Sequence, residues 1–279
     1  MAKYQRSFTP ELLAKRLRLG RGKGVGKNYK PWLTVRDVPS LGLSSRILGW
    51  TTGRTHHLLA GNETAYFYIL DWSILVIDIR EQFPLFPFEK PLEIAKRLGL
   101  KPPTDPKTQL PIVMTTDFLI DTFVDGKIRT IARTIKLTKD NSNRTLEKLQ
   151  IERIYWEELG IDWGIVTELE IDKQVSDNIK WIHKAKAFGK VPAVTKDILT
   201  EIEWKLRCMK LQNYRSVAEI GSVFDKEFGL PVGSGLWSIR HLIANRRWIV
   251  DMGQPLCERN GITFSIGFQS NPELTDGGK

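Results

Sequence analysis

An acid and a lysine can be placed on one face of a sheet from their spacing. The dipeptide Asp125-Gly126 separates PIVMTTDFLID (Pro111–Asp121) from KIRTIARTIKL (Lys127–Leu137), which predicts a two-residue hairpin turn between two strands. Val124 then pairs with Lys127, and Asp117 lies across from Thr134. Paired residues share a face, as do residues two apart on one strand. Asp117, Thr134 and Lys136 therefore converge, while Ile131, Arg133 and Ile135 point away. Such an acid facing a lysine is either an exposed cross-strand pair or part of a metal-dependent phosphodiesterase site. In the second reading Asp117 is a hard oxygen ligand suited to Mg²⁺. Lys136 stabilises developing charge or positions water. Glu63, on a helix before the first strand, is the candidate second carboxylate.

The elements that must position these residues follow an α/β order. Asn62 caps a helix through ETAYFYILDW, and SILVIDI (Ser73–Ile79) is a β-branched strand. A Pro-rich loop to Pro103 precedes the hairpin. NSNRTLEKLQIERIYWEELG reads as a helix stopped at Gly160, and Ile161–Thr167 as a last strand. The order is helix, strand, hairpin, helix, strand. Upstream, Thr9-Pro10 starts a helix that ends at Gly20, followed by a flexible basic loop, GRGKGVGKNYK. Downstream, Ser216 and Glu219 form a capping box. A helix to Phe228, a turn at Gly229-Leu230-Pro231, a helix carrying Leu236, Ile239, Leu242 and Ile243, and a hairpin (Arg247–Met252, Ile262–Phe268) resemble a winged helix. The tail SNPELTDGGK reads as loose.

Charge points to a partner. Residues 1–60 hold twelve Lys/Arg against two acids, which accounts for the whole net charge of +10 across 279 residues. A polyanion such as double-stranded DNA is the natural partner, with salt-dependent phosphate contacts. The alternative is a merely solvated basic arm. The glycines lack a preceding strand and a GK[ST] ending, so a nucleotide site is disfavoured. Composition excludes a disordered or fibrous chain, and no apolar run reaches the roughly 20 residues of a membrane span. The N-terminus has no secretory h-region. Cys208 and Cys257 form no CxxC or disulfide framework, which suits a cytoplasmic protein. His56 and His57 suggest zinc or a general base, but no further His or Cys completes a site, and a packing or surface role is favoured. Arg240, Arg246 and Arg247 could touch DNA or a partner, or form a solvated face.

Several stretches together resemble the TnsA family, the endonuclease subunit of heteromeric transposition systems that work with TnsB and TnsC. They are GRGKGVGKNYKPWLTVRDVPS, HHLL followed four residues later by Glu63, DIREQFPL (Asp78–Leu85), VMTTDFLID (Val113–Asp121) and RTLEKLQIERIYW (Arg144–Trp156). The resemblance implies a restriction-endonuclease-like PD-(D/E)xK core, αβββαβ, over residues 61–168. It implies a basic N-terminal helix and loop over 1–60, a mainly helical, winged-helix-like TnsC-binding domain over 169–270, and a tail over 271–279. Glu63, Asp117 and Lys136 fall where the family's catalytic Glu, Asp and Lys lie. The implied activity is Mg²⁺-dependent cleavage at transposon 5′ ends, with Mn²⁺ able to substitute, alongside a TnsB-like transposase and a TnsC-like ATPase. A free-standing restriction-type nuclease and a non-catalytic DNA-binding scaffold are the alternatives.

The chain also departs from the family. The usual Gln two residues before the catalytic Lys is Thr134, leaving a shorter, neutral candidate metal ligand, and the Pro usual after that Lys is Leu137. Lys139 is a fallback lysine, but it would point to the opposite face from Asp117. Arg80 and Gln82 follow the first strand in a loop and match a family motif. They read as phosphate or metal-site supports, against a structural salt-bridge turn. With Arg21, Lys23, Lys27 and Lys30 they complete the candidate DNA-contacting set.

Overall fold

Thr9 accepts a hydrogen bond from the Leu12 amide (3.3 Å), and Pro10 opens helix α1 (Pro10–Arg18), as its cap and first residue predict. The computed structural model describes residues 7–38, 43–209, 215–262 and 264–266, so the tail expected to be loose lies outside them. The chain divides into two compact units at Asp172/Lys173, described separately.

In the first unit, a short hairpin of β1 (Ser45–Leu48) and β2 (Thr55–Leu58) leads to α2 (Gly61–Trp72) and β3 (Val76–Pro84). Then come α3 (Glu89–Arg97), β4 (Thr115–Val124), β5 (Lys127–Ile135), α4 (Asn143–Glu158) and β6 (Asp162–Val166). The sheet order is β3-β4-β5-β6, antiparallel except for the parallel pair β5/β6. This is a mixed α/β arrangement. The hairpin register runs from Val124↔Lys127 to Phe118↔Arg133, the pairing that the turn specifies. Asp125 (φ 52°) and Gly126 (φ 72°) supply the two left-handed positions of that turn.

Four expectations differ. Helix α2 starts at Gly61 with Ala60 as its N-cap, so Asn62 lies inside the first turn rather than capping it. β3 begins at Val76 and continues through Pro84, so Arg80, Glu81 and Gln82 lie in a strand paired to β4 rather than in a loop. The Pro-rich connection contains α3, whose Pro91 sits in the first turn, where a missing N–H is tolerated. The basic loop is not flexible coil. Gly20, Gly22, Gly24 and Gly26 all have positive φ, and backbone bonds Gly22→Lys30 and Lys30→Lys23 close it on itself.

One face of the sheet buries Phe67 and Leu70 of α2 against Val76, Ile79, Phe118, Ile120 and Ile135. The other buries Ile151, Tyr155 and Trp156 of α4, with Ile94 and Ala95 of α3, against Leu119 and Ala132. Full burial of each large apolar side chain contributes about 1.5–3 kcal/mol. These layers fix the ends of β3, β4 and β5 relative to the first turn of α2.

The second unit comprises α5 (Lys173–His183), α6 (Lys196–Cys208), α7 (Val217–Glu227), α8 (Ser234–Ala244) and the strand pair β7 (Trp248–Val250)/β8 (Phe264–Ile266). Ser216 Oγ accepts from the Glu219 amide (3.1 Å), and the Glu219 carboxylate accepts from the Arg215 amide (2.8 Å). The Asp225 carboxylate caps α8 through the Gly233 and Gly235 amides (2.7 and 2.6 Å). A Cβ on Gly235 would come within 2.2 Å of the Gly221 carbonyl, so α7 and α8 cross at backbone contact. Arg240 lies over the Trp181 ring and donates to the Trp181 carbonyl, and Arg247 pairs with Glu203. Both guanidinium groups are engaged within the unit.

Candidate active site

Gln82 is the local irregularity that builds the site. It has φ 49° inside β3, a left-handed conformation that costs a non-glycine residue free energy, and it is buried. The β3/β4 pairs on either side are Glu81↔Phe118 and Phe83↔Thr116, with no pair between Gln82 and Asp117. Instead the Gln82 carboxamide Nε2 donates to Asp117 Oδ1 (3.3 Å), and Thr115 Oγ1 donates to Gln82 Oε1 (3.2 Å).

Asp117 replaces a rung of the ladder with its side chain. Its Oδ2 accepts the Ile135 amide (2.7 Å) and lies 3.8 Å from Lys136 Nζ. Lys136 Nζ also donates to the Ile135 carbonyl (3.1 Å) and is about one-third exposed. Glu63 enters from the first turn of α2, where its carboxylate accepts the Leu59 amide (2.8 Å). Burial and repulsion from Asp117 push Glu63 up to about 8, against the Leu59 bond, Lys136 and a bond from Gln82. The structure thus brings Glu63, Asp117, Lys136 and Gln82 together.

Thr134 is placed differently from the expected shared face. Its hydroxyl donates to Glu152 of α4, which also accepts from Thr116 Oγ1 (2.7 Å) and Trp163 Nε1 (3.2 Å). Trp156 Nε1 donates onward to Thr116 (2.6 Å). The break at Gln82/Asp117 turns Asp117 away from its expected opposite number, so the two side chains serve different neighbours. Burial pushes Glu152 up to about 7, with Asp117 adding to the effect. Glu152 was missed in the sequence, although it lies on the apolar face that Leu149 and Trp156 define on α4.

The candidate DNA-contacting residues divide. The side chains of Lys23 and Lys27 are exposed and carry no hydrogen bond or ion pair among the described residues, and Lys30 Nζ donates to the Leu19 carbonyl (3.1 Å). Arg21 is engaged with Asp37 (2.6 Å) and the Trp32 carbonyl (3.0 Å). Arg80 bridges Asp121 (2.6 Å) and Asp78 (3.3 Å), the salt-bridge alternative for this residue. The loop is fastened to β3 by Gly26 N–H on Asp78 (3.1 Å), Tyr29 Oη on the Glu81 carbonyl (3.1 Å) and Trp32 N–H on the Gln82 carbonyl (3.2 Å).

Beside the site lies a second buried carboxylate with the opposite balance. Glu81 is fully buried and accepts from Arg54, His56 Nδ1 (2.7 Å) and the His57 amide (3.0 Å). Burial alone would raise it, but Arg54 and His56 outweigh that and bring it to about 2. His56, also bonded to Thr52 (2.7 Å), is therefore a buried structural residue.

The donor set fits a small hard cation. Among the described residues no group of three or more His, Cys, Asp or Glu gathers on one point. The buried carboxylate of Glu63 and the partly buried one of Asp117 do converge, with Lys136 beside them. Mg²⁺ commonly takes one or two carboxylates and completes its shell with water and phosphate oxygens.

Two family profiles match the chain: TnsA-like endonuclease N terminal over residues 75–168 and TnsA endonuclease C terminal over residues 170–252. The chain is 39% identical over 246 residues to the Escherichia coli transposon Tn7 transposition protein TnsA, covering 88% of this chain and 87% of that relative. On this likeness across both units, the chain belongs to the TnsA family.

Proposed function

We propose that this chain is a Mg²⁺-dependent DNA endonuclease that cuts the 5′ ends of a transposon, acting in the cytoplasm with a TnsB-like transposase and a TnsC-like ATPase. The observation that carries the reading is the convergence of Glu63, Asp117 and Lys136 where β3 and β5 end and β4 begins. Relatives named as endonuclease and as Tn7 transposition protein supply the reaction class and setting. In this reading residues 61–168 are a PD-(D/E)xK core. The α7–turn–α8–β7/β8 order supports a winged-helix-like second unit that docks the ATPase. No helix among the described residues is long and apolar enough to cross a membrane.

Hydrolysis forms a bond from a water oxygen to phosphorus and breaks the bond to the leaving sugar oxygen. The water loses a proton and the leaving oxygen gains one. Glu63 and Asp117 would hold Mg²⁺, which when bound neutralises phosphate oxygens and lowers the pKa of water. Lys136 faces Asp117 with a mobile ammonium suited to a phosphoryl oxygen or to the attacking water. Gln82 spans both carboxylates and fixes their separation. The buried network around Glu152 holds Thr134, next to the Ile135 amide that orients Asp117.

The test is strand-specific cleavage of transposon ends by the reconstituted subunits in Mg²⁺. Asp117→Ala should lower 5′-strand cleavage by about 10²-fold or more while 3′-strand cleavage persists. Unchanged 5′ cleavage would favour the scaffold reading, and efficient cutting of plasmid by the subunit alone would favour a free-standing nuclease.

A further inference from the structure

Lys148 is a cation that the site as described does not use. β5 and β6 are parallel neighbours joined through α4, so α4 must run back antiparallel to β5. Glu152 is anchored on Thr134 near the C-terminal end of β5. Lys148 lies four residues earlier on the same helix face, one turn or roughly 6 Å closer to the strand end that carries Lys136. It is exposed, and among the described residues its ammonium makes no hydrogen bond or ion pair. Its neighbour Arg144 is saturated by Glu147 (2.7 Å) and by the Lys101 and Pro102 carbonyls (2.6 and 3.0 Å). Partial burial, with repulsion from Arg144 and Lys136, holds the Lys148 ammonium below the usual lysine range.

Two lysines that repel one another are unfavourable in isolation, and an anion received between them relieves the repulsion. We propose that Lys148 binds a phosphate of the DNA strand adjacent to the phosphate addressed by Lys136, and so sets the register of the duplex over Asp117. This rests on the nuclease reading above and adds a substrate contact to it. Lys148 would thus touch the strand beside the bond that breaks.

Equilibrium binding of the full chain to duplex transposon-end DNA is measured across a salt series, without divalent metal. Lys148→Gln should weaken binding about three- to tenfold near 0.1 M salt and reduce the log–log salt slope by about 1, with Lys148→Arg restoring both. Acylation mass-spectrometric footprinting of the unmutated protein supplies a readout independent of folding: duplex should protect Lys148. Equal labelling of Lys148 with and without DNA, or an unaltered slope in Lys148→Gln, overturns the proposal. Asp117→Ala cleavage run in parallel separates the two readings. Lost cleavage with an unprotected Lys148 sinks only the phosphate contact. Retained cleavage in Asp117→Ala sinks the nuclease assignment itself, and with it this proposal.

Discussion

Glu81 and Glu63 are both nearly solvent-free glutamates of the first unit, yet their surroundings drive them in opposite directions. Glu81 is enclosed by Arg54, His56 and the His57 amide and is held near 2. Glu63 is pressed against Asp117, with Lys136 at the rim, and is pushed up to about 8. The first arrangement is complete and belongs to the fold. The second is electrostatically unfinished in the protein alone, as expected of a place built to receive a cation and a polyanion. Glu81 is followed directly in β3 by Gln82, the side chain that spans the unfinished pair.

The same substitution at the two positions should therefore have opposite signs. Glu81→Gln leaves the Arg54 charge buried without its counter-charge, and removing one partner of a buried pair costs about 3–5 kcal/mol. Denaturant unfolding should show the midpoint falling by that amount. A loss under about 1 kcal/mol would mean that the Arg54–His56 enclosure does not hold the fold.

Glu63→Gln should stabilise the metal-free protein by roughly 2–3 kcal/mol at pH 7, because native Glu63 retains a proton that the unfolded chain has released. The sign can be traced with pH. Native Glu63 and Glu152 bind more protons than the unfolded chain between their ordinary value of 4.5 and about 8 and 7, so metal-free stability should decline as pH rises through that window. Glu81 acts oppositely: its contribution is complete above 4.5 and is lost as pH falls toward 2. Thermal melts should peak near pH 4.5–5, and millimolar Mg²⁺ should recover stability at pH 7–8 in the unmutated chain but not in Glu63→Gln. A flat profile, or equal Mg²⁺ stabilisation of both proteins, would remove the contrast between the two glutamates.

Much of this layout was legible in the sequence because one turn fixes a register. Asp125-Gly126 determines which residues pair, and the observed ladder keeps that pairing as far as Phe118↔Arg133. The placement of Thr134 was not legible, since the ladder breaks one residue later. A glutamine adopting φ 49° has no sequence signature, unlike a glycine in the same conformation. The four-residue strands β1 and β2 are too short to carry an alternation signal, so the Arg54–His56–Glu81 enclosure was hidden, and adjacent histidines read as surface or packing residues. Pro91 disguised α3 as loop. The charge of the first sixty residues was plain. That two of those cations, Arg16 and Arg21, are committed to Asp37 is a tertiary fact with no local signal.

The smallest expected effect tests whether the two glutamate sites can be loosened separately. The basic loop touches both: Tyr29 bonds the Glu81 carbonyl and Trp32 the Gln82 carbonyl. Gly22 of the same loop packs on the end of β3, where a Cβ would come within 2.3 Å of Pro84 Cγ at φ +77°. Gly22→Ala should therefore lift the loop from the C-terminal end of β3, at a cost of about 1–2 kcal/mol. Because Glu81 is held chiefly by Arg54 and His56 rather than by the loop, hydrogen exchange should quicken at the Gly22, Lys30 and Trp32 amides, while the His57 amide on Glu81 keeps its protection. Exchange rising equally at His57 would show that the loop, β3 and the buried ion pair open as one unit, and that the complete and unfinished glutamate sites are not independent.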